Sequence, residues 1–112
     1  GNNEYVFNFS DFFRLKEIQI ITNDTIESSI VKDKIISIQY KYDSDNTNTS
    51  VEYSSIDKNQ GINILNTSTS TDHHRLQITT PNIYKYFKIV FDKSFNQEKI
   101  IEVKLVGDKK AN

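Results

Sequence analysis

Two histidines stand side by side in this chain behind an acid, Asp72-His73-His74. Imidazole and carboxylate groups are the ligands of zinc and the parts of a general acid–base pair. The spacing argues against both uses. Adjacent strand residues point to opposite faces, so the two rings could share an ion only from a loop, and the chain has no third histidine. One histidine on the surface and one lining a sheet edge is the simpler expectation. A second cluster, Asp43-Ser44-Asp45-Asn46, is rich in oxygen and would suit a structural calcium ion. It lacks the glycine and closing glutamate of an EF-hand loop, and the same residues make a good turn without an ion. The third set is Tyr40, Tyr42, Tyr53, Tyr84 and Tyr86. These rings could form a platform for a sugar or a peptide, or they could be core and cross-strand pairs.

Catalytic signatures are missing. There is no G-x-S-x-G, no glycine-rich phosphate loop, no H-E-x-x-H and no cysteine nucleophile. With three glycines and no tryptophan, the chain also reads as a poor former of clefts. The expectation is a non-catalytic binding module.

Composition narrows the partners. At 112 residues the chain is one domain, long enough to bury most of its unfolded surface. A formal net charge of −1 gives no basic face to displace counterions, which excludes a general nucleic-acid binder. No apolar run is long enough to cross a membrane as a helix. Without cysteine there is neither a disulfide framework nor a thiolate metal site, which still allows an extracellular or cell-surface location. Sequons at Asn8, Asn23, Asn48 and Asn66 are what chance supplies in a chain rich in Asn, Ser and Thr. A chain that starts at Gly1 and holds no methionine reads as a piece of a longer protein.

The elements that must position these groups are strands. Alanine, the best helix former, occurs once, at Ala111, whereas isoleucine is abundant. Tyr5–Phe9 alternates, Ser10-Asp11 suggests a turn, and Arg14–Thr22 follows with Ile18, Ile20 and Thr22 on one face. Asn23-Asp24-Thr25 could cap one or two helical turns through Lys32, or the segment could be a loop. Ile35–Tyr42 places Ile36, Ile38, Tyr40 and Tyr42 on one face. Val51–Tyr53, Ile62–Leu65, the set His74, Leu76 and Ile78, then Thr80–Phe91 and Glu98–Gly107 complete about eight short strands. Their spacing predicts an all-β, antiparallel β-sandwich of the jelly-roll kind over residues 1–107, with 108–112 as a tail or linker stub.

Three segments carry a resemblance. "YVFNFSDFFRLKEIQIIT" (Tyr5–Thr22), "IISIQYKYDSD" (Ile35–Asp45) and "PNIYKYFKIVFDKSFNQEKIIEVKLVG" (Pro81–Gly107) follow one another as in the coagulation-factor type C (discoidin) family of galactose-binding-like jelly rolls. In the last, Tyr86 and Glu102 fall on matching positions of the family's closing strand pair. The chain departs from the family in lacking its opening segment and its tryptophans, and in having Lys85 and Lys88 where arginines are common. The resemblance implies a carbohydrate- or protein-binding module of a larger surface or secreted protein, with its ligand held by loops at one end. Composition of those loops nominates His73, Arg75, Asp43, Asp45 and Tyr42 as ligand-binding residues. The partner is then a glycan, or alternatively another protein docking on an exposed strand edge or hydrophobic patch.

Overall fold

Aromatic and β-branched side chains lose little freedom on a pleated surface and pack well against cross-strand neighbours, which is why this sequence builds sheet. The computed structural model describes residues 3–41, 54–66, 70–81, 83–95 and 99–109, and its fold is all-β and antiparallel. Seven strands occur among the described residues: β1 (Glu4–Ile26), β2 (Ile35–Lys41), β3 (Ser54–Ile56), β4 (Ile62–Ile64), β5 (Thr71–Ile78), β6 (Ile83–Phe91) and β7 (Ile100–Lys109). Helix α1 (Ser28–Asp33) joins β1 to β2, and the single turn α2 (Lys58–Gly61) joins β3 to β4. They form one sheet in the order β3-β2-β6-β1-β5-β4, with β7 beside β1.

The long strand β1 organises everything else. Phe13 and Arg14 pair with β6 on one side and β7 on the other, while Glu17 to Ile21 pair with β5 and β7. So β6 and β5 follow each other along one edge of β1, and β7 takes the opposite edge. One strand thereby serves two halves of the sheet, and curling brings their apolar faces together. Phe87, Ile89 and Phe91 of β6 share a core with Ile18 and Ile20 of β1 and Leu76 and Ile78 of β5.

Bulges set which residues face inward. Up to Leu15 the odd-numbered residues of β1 other than Asp11 turn inward. Between Leu15 and Glu17 the register against β7 slips by one residue, so Lys16 is extra and Ile18, Ile20 and Thr22 face inward instead. Lys16 reaches Asp108 across the bulge. The expected turn at Ser10-Asp11 is not a chain reversal. It is an irregular stretch of a continuous strand, taken up between the Asn8–Tyr86 and Phe13–Tyr84 pairs. Two expected strands are therefore one; the expected strand Val51–Tyr53 lies outside the described residues, and β3 (Ser54–Ile56) was not among those expected.

A similar device corrects the face assigned to Ile36. Ile35 opposes Phe91 and Ser37 opposes Val90, so Ile36 is the extra residue of a bulge. It is 59% exposed, whereas Ile35 and Ile38 are wholly buried. Helix α1 begins at Ser28 behind Glu27, because β1 continues through Ile26 past the Asn23-Asp24-Thr25 signal. β7 runs on to Lys109, two residues into the expected tail, with Asp108 and Lys109 paired to Arg14 and Phe13.

Candidate functional site

The core approaches the surface between β2, β6 and the α2 turn. A cleft of about 300 Å³ opens there, its floor made by Leu15, Ile78 and Phe87. Tyr40 and Tyr84 line it as a stacked pair, with ring centroids 3.9 Å apart and planes 28° from parallel. Register puts Tyr40 opposite Phe87, and the Tyr84 ring meets Phe87 edge to face at 6.2 Å. Burial, and then a hydrogen bond and charge shared with Tyr40, push the Tyr84 phenol up to about 12.

Polar groups line the remaining walls: Ser55, Asp57, Gln60, Thr79 and Thr80. Local structure holds them. Asp57 is the N-cap of α2, accepting from the Asn59 amide at 2.9 Å. Thr79 donates its amide to the Gly61 carbonyl at 3.0 Å and its hydroxyl to the Gln60 carbonyl at 3.2 Å, which ties α2 to the end of β5. Gly61 is required by close approach, since a Cβ there would run into the Ile56 side chain. An aromatic wall facing fixed acceptors and hydroxyls is the makeup of a site for a small polar ligand with apolar ring faces. The expectation of a poor cleft-former is corrected: Tyr40 and Tyr84 supply the walls without tryptophan.

The residues nominated from sequence lie elsewhere. His73 and Arg75 alternate with His74 and Leu76 along β5, so they lie on the outer face of the sheet, away from the cleft. Arg75 is engaged by Glu17 through two contacts of 2.9 Å, and His73 Nε2 is 3.4 Å from Gln19 Oε1. The Arg75 guanidinium, with Gln19 behind it, holds the Glu17 carboxyl below the usual carboxylate range. Tyr42, Asp43 and Asp45 lie outside the described residues, as does Tyr53. Among the described residues no group of three or more His, Asp or Glu side chains could hold a metal ion. No helix among them is long and apolar enough to cross a membrane.

His74 is fully buried, not at a sheet edge, and it faces away from His73, so the two share no site. Its Nδ1 lies 2.7 Å from Ser28 Oγ and its Nε2 3.0 Å from Thr22 Oγ1. Thr22 donates its own hydroxyl to the Asp24 carbonyl, so its oxygen accepts from the Nε2–H and Ser28 donates to Nδ1. Both ring nitrogens of a neutral imidazole are thus satisfied. This serine–histidine contact pins α1 to β5; Ser28 is itself buried and offers no attacking hydroxyl.

No family model, curated protein or solved structure matches the chain. The cleft must be read from its own chemistry. Tyr40 and Tyr84 stood in the sequence as members of an aromatic set, and Gln60 in a polar turn. Asp57 carried one usable signal, an N-cap acid three residues ahead of Gln60. Thr79 and Thr80 carried none, because their place depends on where β5 ends against α2.

Proposed function

We propose that this domain is a non-catalytic carbohydrate-binding module, taking the end of a saccharide in the cleft lined by Tyr40 and Tyr84. The observation that carries this reading is the stacked tyrosine pair set opposite Asp57, Gln60 and Thr80 in a cleft of about 300 Å³. A sugar ring offers an apolar C–H face to an aromatic ring and a rim of hydroxyls to acceptors and donors, and this cleft has both complements. The volume lies at the small end for ligand pockets, which suits one or two sugar rings. Resemblance to discoidin-type modules supports the same reading, and a larger surface or secreted protein is the setting that the resemblance implies.

Saturation-transfer NMR over a broad saccharide panel tests it. Ring protons of at least one saccharide receive magnetisation, and Tyr40→Ala, folded by its amide spectrum, removes the effect. A panel with no signal refutes the proposal. A second reading, docking of a protein on the outer edge of β7, is favoured by one observation. β7 pairs only with β1 among the described residues, and it exposes Ile101 and Val106.

A further inference from the structure

Among the described residues the cleft has one charged lining residue, the Asp57 carboxylate, and no lysine, arginine or histidine. Its Oδ1 is fixed by the Asn59 amide, so the negative charge is held in place at the wall. The nearest cation in sequence turns away: Lys58 donates to the Asp33 carbonyl at 2.7 Å, with the Asp33 carboxylate 4.0 Å off. Aromatic ring faces are also negative, and they favour a cation. The formal charge on the described walls of the site therefore has one sign.

Resting on the saccharide reading, we propose that the cleft prefers an amino sugar with a free ammonium group, accepts its neutral counterpart and rejects acidic sugars. Asp57 is the specificity-determining residue. An ammonium here meets a carboxylate beside the tyrosine rings, whereas a uronic acid brings a second negative charge to the same wall with no cation among the described lining residues to offset it. Exchange of one charged group for another at a single site changes affinity by about tenfold for each step of charge when the site is partly screened.

The test uses three matched oligosaccharides titrated by NMR at low salt: a glucosamine oligomer, its N-acetylated form and a glucuronic-acid-containing oligomer. Asp57→Asn is the informative variant, because asparagine also caps a helix and keeps the acceptor for Asn59, leaving α2 in place. Affinity is expected to fall in the order amino, acetylated, acidic, by about tenfold per step, and to collapse to within about threefold in Asp57→Asn. Saccharides that bind without this order, or an order unchanged in Asp57→Asn, overturn the charge selection and leave the saccharide site standing. Absence of binding by all three and by the wider panel overturns both.

Discussion

Replacing Ser28 by alanine probes the buried imidazole with almost no change in core volume. The variant removes one hydroxyl, the donor to His74 Nδ1 at 2.7 Å, and leaves that nitrogen facing a methyl group. A buried acceptor without a donor costs about 1–3 kcal/mol. Against a total stability of about 5–15 kcal/mol this is a large fraction, and in a domain of this size it lowers the Tm by about 4–8 °C per kcal/mol. Proton binding adds a second signature. Burial holds the His74 imidazole below its ordinary value; Asp72 opposes that shift and His73 adds to it. The unfolded chain therefore takes up the proton first as pH falls. Stability is full above about pH 6.5 and declines below it, by up to about 1.4 kcal/mol per pH unit, until the folded imidazole protonates too. Urea unfolding of the wild type, Ser28→Ala and His74→Gln from about pH 8 to about pH 5 reads both effects. Ser28→Ala is less stable at every pH, and His74→Gln loses the decline between neutral and mildly acid pH. A Ser28→Ala midpoint equal to wild type would refute the hydrogen-bond argument. An identical slope in His74→Gln would mean that another group binds the proton.

Three further outcomes follow from packing and charge. Ile36→Ala changes stability by no more than about 0.5 kcal/mol, while Ile38→Ala costs about 2–5 kcal/mol in chemical denaturation; equal effects would remove the β2 bulge. Arg75→Gln lowers stability at neutral pH and flattens the acid limb below about pH 4.3. The wild-type Glu17 carboxyl, held low by Arg75, contributes stability above that value and loses it as pH falls. In an alkaline absorbance titration one phenol ionises last, near about 12, and Tyr40→Phe brings it down. Because the folded state keeps that proton longer, stability declines as pH rises above about 10.

Strand character was legible because alternation in β5 and β6 survives in the structure: His74, Leu76 and Ile78 turn inward as their spacing predicts. What alternation cannot register is an extra residue. Lys16 and Ile36 each shift the phase by one, and neither position differs in residue type from an ordinary strand residue, so Ile36 was given the face of Ile38, while Ile18, Ile20 and Thr22, which lie beyond Lys16 in one phase, share a face as expected. Ser10-Asp11 has turn chemistry, yet pairing with β6 on both sides keeps the chain extended. The site was half legible for a related reason. Tyr40 and Tyr84 are aromatic wherever they fall, but only curling of the sheet joins them to Asp57 and Thr79. Polar residues near the histidines attracted attention through composition, while the pleat sends His73 and Arg75 to the outer face and Glu17 engages the guanidinium.

β1 also decides the order in which this chain can acquire its shape. Its partners come late in the sequence: Glu17 waits for Gln77, Phe7 for Phe87, and Phe13 for both Tyr84 and Lys109. Closing loops of that length before any pairing is rewarded makes folding slow, on a scale of about milliseconds to seconds. Neither half of the sheet has an early local nucleus that includes β1, so until β5, β6 and β7 have been synthesised the aromatic and isoleucine-rich stretch Tyr5–Ile26 has no place to hide. During that interval it is an unpaired apolar strand, the form most prone to pair with a neighbouring chain. The same sharing makes the halves inseparable: a cut within β1 releases both.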